Sequence, residues 1–281
     1  MNKYGILILV VMVILICLFS LFELDRNFNG MSFPTIKFYY IDAAPLPLLG
    51  VYNTLVRTIN PHHTHIFNTD DFDSTRILQP NWRSIQHEAL DIYHKKDKLR
   101  NMADIGVMGN FTGIDAERGL WKVFVLKWYD KPLENAKRLC PNTIALLEKC
   151  PDIHAAMFSI LEPGKFIPPH KGPSTGCLRY HIGLKLPRDN TNCYIDVNNE
   201  RFHWGEGEGL IFDDTYVHSV YNNTNEPRII LFMDIERPLQ TPLKEFTHYM
   251  CKHSSVNEFI KGVNDVSEKT AELFHNYSPS E

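Results

Sequence analysis

The chain has 281 residues, 44% hydrophobic, 12% aromatic and 22% charged, a balance that excludes a disordered tail, a collagen-like repeat and a polytopic membrane protein. Its formal net charge of −4, from 29 Lys+Arg against 33 Asp+Glu, offers no strongly basic surface, so no nucleic-acid partner is expected. The apolar residues are unevenly spread, and the opening of the chain is read separately from the rest.

Gly5 to Phe22 (GILILVVMVILICLFSLF) runs 18 residues without a charge. As a helix it rises about 27 Å, close to the roughly 30 Å hydrocarbon core of a bilayer. It is longer than a usual signal-peptide apolar region, and Phe22-Glu23-Leu24 has no small-x-small cleavage pattern. Residues 5–22 are therefore expected to be an uncleaved single-pass anchor that holds the protein at a membrane. Lys3 before the span and Arg26 and Lys37 after it are too few to set the side.

Residues 23–75 form a membrane-proximal segment rich in aromatics and proline, with apolar residues around Leu46 to Leu55 that either lie on the membrane surface or pack on the domain. Pro61 to His65 (PHHTH) holds three histidines, for which a Pro-bounded loop is the simpler reading than a metal site. A domain is expected over 76–245. Within it, Asn81 to Lys96 spaces Trp82, Ile85, Leu90 and Ile92 as an amphipathic helix. Pro141 starts a second helix, because proline lacks only an amide that a first helical residue leaves unused.

From Ala155 to Ile235 the pattern becomes short strands (AAMFSIL, LRYHIGLKLP, NCYIDV, GLIFDD, HSVYN, RIILFMDI) separated by Gly, Pro, Asn and Asp, which predicts an antiparallel sandwich or barrel. In Leu178 to Leu184, alternation puts Leu178, Tyr180, Ile182 and Leu184 on one face and Arg179, His181 and Gly183 on the other. Residues 246–281 form a C-terminal helical tail, with Val256, Phe259, Ile260, Val263 and Val266 on a shared side.

The six cysteines, Cys17, Cys140, Cys150, Cys177, Cys193 and Cys251, form no CxxC pair. Cys140 and Cys150 are spaced for a bridge, although buried thiols are the simpler reading. Sequons at Asn110, Asn222 and Asn276 matter only if the domain is lumenal or extracellular.

The chemistry concentrates in EPGKFIPPHKGPSTGCLRYHIGLKLP and WGEGEGLIFDDTYVHSVYNNTNEPRIILFMDIERP. His170 follows two prolines on a rigid loop entering a strand, and His218 follows FDDTYV; across a small β-barrel they would make a metal pair. Imidazole suits Fe(II) as well as zinc, so the two histidines alone do not identify the metal. Asp213 and Asp214 precede His218, and one of them would serve as an acceptor behind a ligand histidine or as a turn residue.

The stretches FSILEPG, HKGPSTGCLRYHIGL and GLIFDDTYVHSVYN, in that order, resemble the aspartyl/asparaginyl β-hydroxylase family of Fe(II)- and 2-oxoglutarate-dependent oxygenases. The resemblance implies a mainly β fold with flanking helices: a double-stranded β-helix, or cupin-like jelly roll, preceded here by the N-terminal transmembrane helix. It implies His170 and His218 as iron ligands and Ser159, Arg179, His181 and Arg228 as 2-oxoglutarate contacts, with Trp121 a further member of the cofactor pocket. A guanidinium at Arg228, ten residues after His218, can grip a carboxylate bidentately.

The flanking sequence, from the anchor through NWRSIQHEAL, WKVFVLKWYD, KRLCPNTIALL and CYIDV to RIILFMDIERP, resembles the lipid A hydroxylase branch, which acts on a fatty acyl chain. That branch carries an Asp two residues after the first histidine, whereas this chain has His170-Lys171-Gly172. In this respect it resembles the peptidyl aspartyl/asparaginyl hydroxylases, which manage with two histidines. The implied reaction joins O₂ and 2-oxoglutarate, releases succinate and CO₂, and hydroxylates a peptidyl Asp/Asn side chain or a lipid acyl chain. Gly172 also admits two other outcomes, a non-catalytic jelly-roll binding module and a radical halogenase.

Overall fold

The structure, a computed structural model, describes residues 46–59, 64–95, 99–102, 121–129, 131–172, 174–241 and 243–253. The apolar segment 5–22, the sequons at Asn110 and Asn276, and the tail beyond 253 lie outside them. Among the described residues no helix is long and apolar enough to cross a membrane.

Helix α1 (Leu46–Ile59) precedes a short strand β1 (Ile66–Phe67), which is followed by α2 (Asp73–Leu78), α3 (Trp82–Tyr93), β2 (Arg100–Asn101), β3 (Trp121–Trp128), β4 (Lys131–Pro132), α4 (Glu134–Leu139) and α5 (Pro141–Leu147). Eight strands then follow: β5 (Ile153–Leu161), β6 (Phe166–His170), β7 (Cys177–Lys185), β8 (Cys193–Val197), β9 (Glu200–Phe202), β10 (Gly209–Phe212), β11 (His218–Asn222) and β12 (Arg228–Glu236), with α6 (Leu243–His253) after them. The larger sheet runs β1-β10-β7-β12-β5-β3-β2 with β4 on β3, and the smaller runs β6-β11-β8-β9. All the ladders between these strands are antiparallel. From β5 to β12 the chain passes repeatedly between the two sheets, which is the winding of a jelly roll.

The alternation read in β7 sorts two cores. Leu178, Tyr180, Ile182 and Leu184 are fully buried with Ile85, Ala89 and Ile92 of α3 and Ile144 and Leu147 of α5, so α3 packs on the outer face of the larger sheet. An Ile182→Ala change in such a core costs roughly 2–5 kcal/mol. Between the sheets lies a second core that includes Met157, Leu161, Ile167, Ile195, Val220 and Ile230, and this interior also receives Ser159, His181 and Arg228. The prolines of FIPPH led to a loop reading for this stretch, but the structure makes it β6. It lies at the edge of its sheet, where a missing amide donor leaves no central ladder incomplete.

The helix at Pro141 forms with proline in its first turn, and its N-terminus is closed by Glu88 of α3. The Glu88 carboxylate accepts the Asn142 and Thr143 amides at 2.8 Å each and the Thr143 hydroxyl at 2.5 Å. Cys140 and Cys150 are separate buried thiols, and burial raises the pKa of both. Of PHHTH, His65 is described and pairs with Glu200 at 3.2 Å. At the end of the chain α6 packs on α1: Phe246 meets Tyr52 at 5.5 Å between ring centroids, the Tyr52 hydroxyl is hydrogen-bonded to Thr247, and Val56, Leu239 and Leu243 complete the contact.

Candidate active site

His170 ends β6, His218 begins β11, and the antiparallel register sets them directly opposite one another. Their ring centroids are 4.0 Å apart. Each ring is fixed in the same way by its own backbone: His170 Nδ1 lies 2.8 Å from the Pro168 carbonyl and His218 Nδ1 lies 2.9 Å from the Tyr216 carbonyl. A carbonyl only accepts, so both Nδ1 atoms carry the proton and both Nε2 atoms keep a lone pair. Burial, with the neighbouring His218 adding to it, lowers the His170 pKa to about 3, and burial lowers that of His218 to about 4. At neutral pH these are two uncharged imidazoles with matched tautomers, the form in which histidine binds a metal.

Gly172 is accounted for by what lies beside it. Its amide donates to the Asp214 carbonyl at 2.7 Å, and a Cβ at position 172 would overlap the Asp214 carboxylate. The space that a longer residue at 172 would claim therefore already holds a carboxylate from the other strand's approach. Of the two roles read for the aspartates before His218, only the turn is taken up; the Nδ1 atoms of both histidines bond backbone carbonyls and not an aspartate carboxylate. Asp213 is a turn residue, accepting the Thr215 amide at 3.0 Å and its hydroxyl at 2.6 Å and pairing with buried Arg237. Asp214 instead pairs with Arg179 at 2.8 Å, and burial raises its pKa despite that partner. Arg179 is also paired with Asp234 and lies 5.0 Å from the Phe232 ring centroid, so it bridges two buried carboxylates beside the histidine pair.

Deeper between the sheets is Arg228, at the start of β12 and only 2% exposed. Its guanidinium carbon is 5.0 Å from the Trp204 ring centroid, its Nε has no hydrogen-bond partner, and no carboxylate of the described residues pairs with it. Burial lowers its pKa to about 10, which leaves it cationic at neutral pH. His181 is equally buried, with both ring nitrogens unpartnered and its ring among Phe212, Phe232 and Trp204 at 5.1, 5.0 and 6.2 Å. Burial first, then the charges of Arg228 and Arg179, hold His181 well below its ordinary value. Trp121 and Ser159 are joined by an indole N–H to hydroxyl bond of 2.9 Å across β3 and β5.

Trp204 was not singled out from the sequence. Its indole N–H is also unpartnered, and its loop is held against β7 by Gly183: Gly183 accepts the Gly207 amide at 2.8 Å, and a Cβ there would collide with the Gly205 carbonyl. The Gly-rich run WGEGEG was the available signal. An interior that buries a cation, an imidazole and an indole N–H without partners has the donor set for an anionic ligand.

A family model described as Aspartyl/Asparaginyl beta-hydroxylase matches residues 79–238. The chain is 34% identical over 196 residues to the ornithine lipid ester-linked acyl 2-hydroxylase of Rhizobium tropici, covering 70% of this chain and 69% of that one. It is 34% identical over 172 residues to the human aspartyl/asparaginyl beta-hydroxylase, covering 59% of this chain but 21% of that much longer protein. Among solved structures, the cupin domain of an XRE-family transcriptional regulator from Enterobacter cloacae is similar at a TM-score of 0.30 and 13% identity, over 42% of this chain and 98% of that one. The chain belongs to the aspartyl/asparaginyl β-hydroxylase family.

Proposed function

We propose that the protein is an Fe(II)- and 2-oxoglutarate-dependent hydroxylase. The observation that carries this reading is Arg228, a fully buried cation with no carboxylate partner among the described residues, inside the same barrel as a pair of neutral histidines. A buried charge without a counterion is strongly unfavourable, and a dicarboxylate cosubstrate supplies the missing partner. The residues present fit both groups. His170 and His218 would hold the metal through Nε2, and Arg228 would take the distal carboxylate of 2-oxoglutarate.

When bound, the iron and 2-oxoglutarate supply the oxidising chemistry: O₂ is consumed, succinate and CO₂ are released, and one oxygen atom enters a substrate C–H bond. The protein's own part is positional. The Pro168 and Tyr216 carbonyls hold the two imidazoles in one tautomer. Arg179 lies against Phe232 and is tied to Asp214 and Asp234, so its charge is already neutralised. His181, Trp204 and the Ser159 hydroxyl, which is oriented by the Trp121 indole N–H, close the pocket and present hydrogen-bonding groups to the cosubstrate, and Phe212 and Phe232 exclude water from it.

The substrate is read as a lipid acyl chain. The match to the ornithine lipid acyl 2-hydroxylase covers more of this chain than that to the human enzyme, and the apolar residues 5–22 suit an enzyme that works at a bilayer. Gly172 favours a second reading, a peptidyl Asp or Asn side chain, because the peptidyl branch also lacks a carboxylate at this position. The test is O₂-dependent succinate formation with Fe(II), for wild type and His170→Ala, together with mass analysis of lipid extracts and peptides for a gain of one oxygen. Succinate formation lost in the variant, with the oxygen gained by lipid, is expected. Equal rates in the two proteins contradict the enzyme, and a gain confined to peptide contradicts the acyl-chain reading.

A further inference from the structure

At the end of the barrel that α6 approaches, three residues from distant parts of the chain converge. His154 is the second residue of β5, Glu236 the last of β12, and His248 lies on α6. His154 Nε2 is 3.1 Å from Glu236 Oε2, and His248 Nδ1 is 3.7 Å from the same oxygen. The three ligand atoms lie within 4.8 Å of one another, and the two rings are 5.7 Å apart between centroids. A register shift in the β12–β5 ladder falls at this point: Asp234 faces Ala155 and Ile235 faces Ile153, with His154 between them. None of the three residues belongs to the His170–His218 site.

We propose that His154, Glu236 and His248 bind a zinc-class divalent cation that fastens α6 to the end of the barrel. Tetrahedral zinc with bonds of about 2.0–2.2 Å spaces its ligand atoms roughly 3.3 Å apart. Two of the three separations straddle that value, and closing the third asks only for a movement of His248, whose side chain is 49% exposed. The other two ligands are held by the sheet: His154 is 1% exposed, and Glu236 lies in register with Cys177. Burial disfavours ionisation of Glu236, yet the His154 hydrogen bond and the charges around it bring its pKa below the ordinary carboxylate value. Two imidazoles and one carboxylate leave a fourth position for water, as in three-ligand zinc sites.

The consequence lies in what α6 touches. Its Thr247 is hydrogen-bonded to Tyr52 of α1, and both side chains press on Gly176, where a Cβ would overlap them. Asn53 of α1 accepts the Thr175 amide and hydroxyl at 3.0 Å each. Residues 175 and 176 follow closely on His170, so a cation that fixes α6 also braces the segment leading from the first metal-site histidine into β7.

The experiment uses the full chain and Zn²⁺ alone. A His170→Ala/His218→Ala variant removes the barrel pair, so this result does not depend on the proposed hydroxylase site. That double variant is expected to retain one Zn²⁺ per chain after gel filtration and to gain several degrees in Tm with Zn²⁺. Adding His248→Ala, or separately Glu236→Gln, should weaken Zn²⁺ binding by at least roughly tenfold and abolish the Tm gain. The half-exposed His248 can be replaced without opening a core, and Glu236→Gln keeps the side chain's shape. Equal Zn²⁺ binding with and without His248→Ala, or no Zn²⁺ retained by the double variant, overturns the proposal and leaves a hydrogen-bonded His–Glu–His contact.

Discussion

The two cores of this molecule treat buried charge in opposite ways. On the helix side of the larger sheet, Glu88 is buried but accepts three hydrogen bonds, two from amides and one from a hydroxyl at the start of α5. Between the sheets, Arg228 is buried more completely, and its Nε meets no acceptor. Glu88 is a structural charge whose partners are built into the fold. Arg228 is a charge with no carboxylate partner among the described residues, as expected of a binding site rather than of a stabilising contact.

The sharpest test of that difference is Arg228→Met. Losing the charge should raise the KM for 2-oxoglutarate by roughly 10²–10³-fold, equivalent to about 3–4 kcal/mol for a buried ion pair broken on one side. The same change should leave the ligand-free protein equally stable or more stable by about 1–4 kcal/mol, because an uncompensated buried cation disappears. Steady-state kinetics and denaturant unfolding check the two halves, and a large loss of stability with unchanged KM would reverse the distinction.

Gly172→Ala acts next. The added methyl meets the Asp214 carboxylate and must displace it from between position 172 and Arg179. Overpacking of this kind costs about 1–3 kcal/mol, and shifting the Asp214–Arg179 pair, whose charges act on His170, should lower metal affinity by roughly tenfold. Fe(II) titration of the variant under anaerobic conditions measures the second effect, and unchanged affinity would mean that Asp214 has room to move.

Glu88→Ala should do the converse of Arg228→Met. It strands the Asn142 and Thr143 amides and the Thr143 hydroxyl and should lower stability by about 1–3 kcal/mol while leaving the KM for 2-oxoglutarate unchanged. A change in KM would show that the helix-side core reaches the cosubstrate pocket.

The smallest effect is a pH dependence. His181 has a folded pKa well below its ordinary value of 6.5 because it is buried beside Arg228 and Arg179. Below pH 6.5 the unfolded chain takes up a proton that the folded ring refuses, so stability falls as pH drops through that value and is recovered above it. His181→Phe should reduce the stability lost between about pH 7.5 and about pH 5.5 by about 1 kcal/mol, read from Tm at the two pH values. An unaltered loss would mean that the ring is protonated in the folded state.

The strands of the barrel were legible because half-buried strands alternate. Leu178 to Leu184 sorts into a helix-facing and an interior face as the sequence pattern predicts, and Pro141 opens its helix. β6 was not legible, because two prolines argue against a strand unless its place at a sheet edge is known. The histidine pair and Arg228 stood out through their motifs, but their decisive properties did not. That Nδ1 of each histidine is tied to its own backbone, that Asp214 fills the space beside Gly172, and that Arg228 Nε meets no acceptor among the described residues are facts of three-dimensional packing. Trp204 and the His154–Glu236–His248 cluster were missed for the same reason. Their partners are brought together by register and by a terminal helix, and His154 and Glu236 are 82 residues apart in sequence.

The most direct measurement is anaerobic binding of 2-oxoglutarate to the Fe(II)-loaded protein, compared between wild type and Arg228→Met. Saturable binding to wild type that is weakened roughly 100-fold or more in the variant is the predicted result, because the buried guanidinium is then the partner of the cosubstrate carboxylate. Equal affinity in the two proteins, or no binding to wild type, would contradict it.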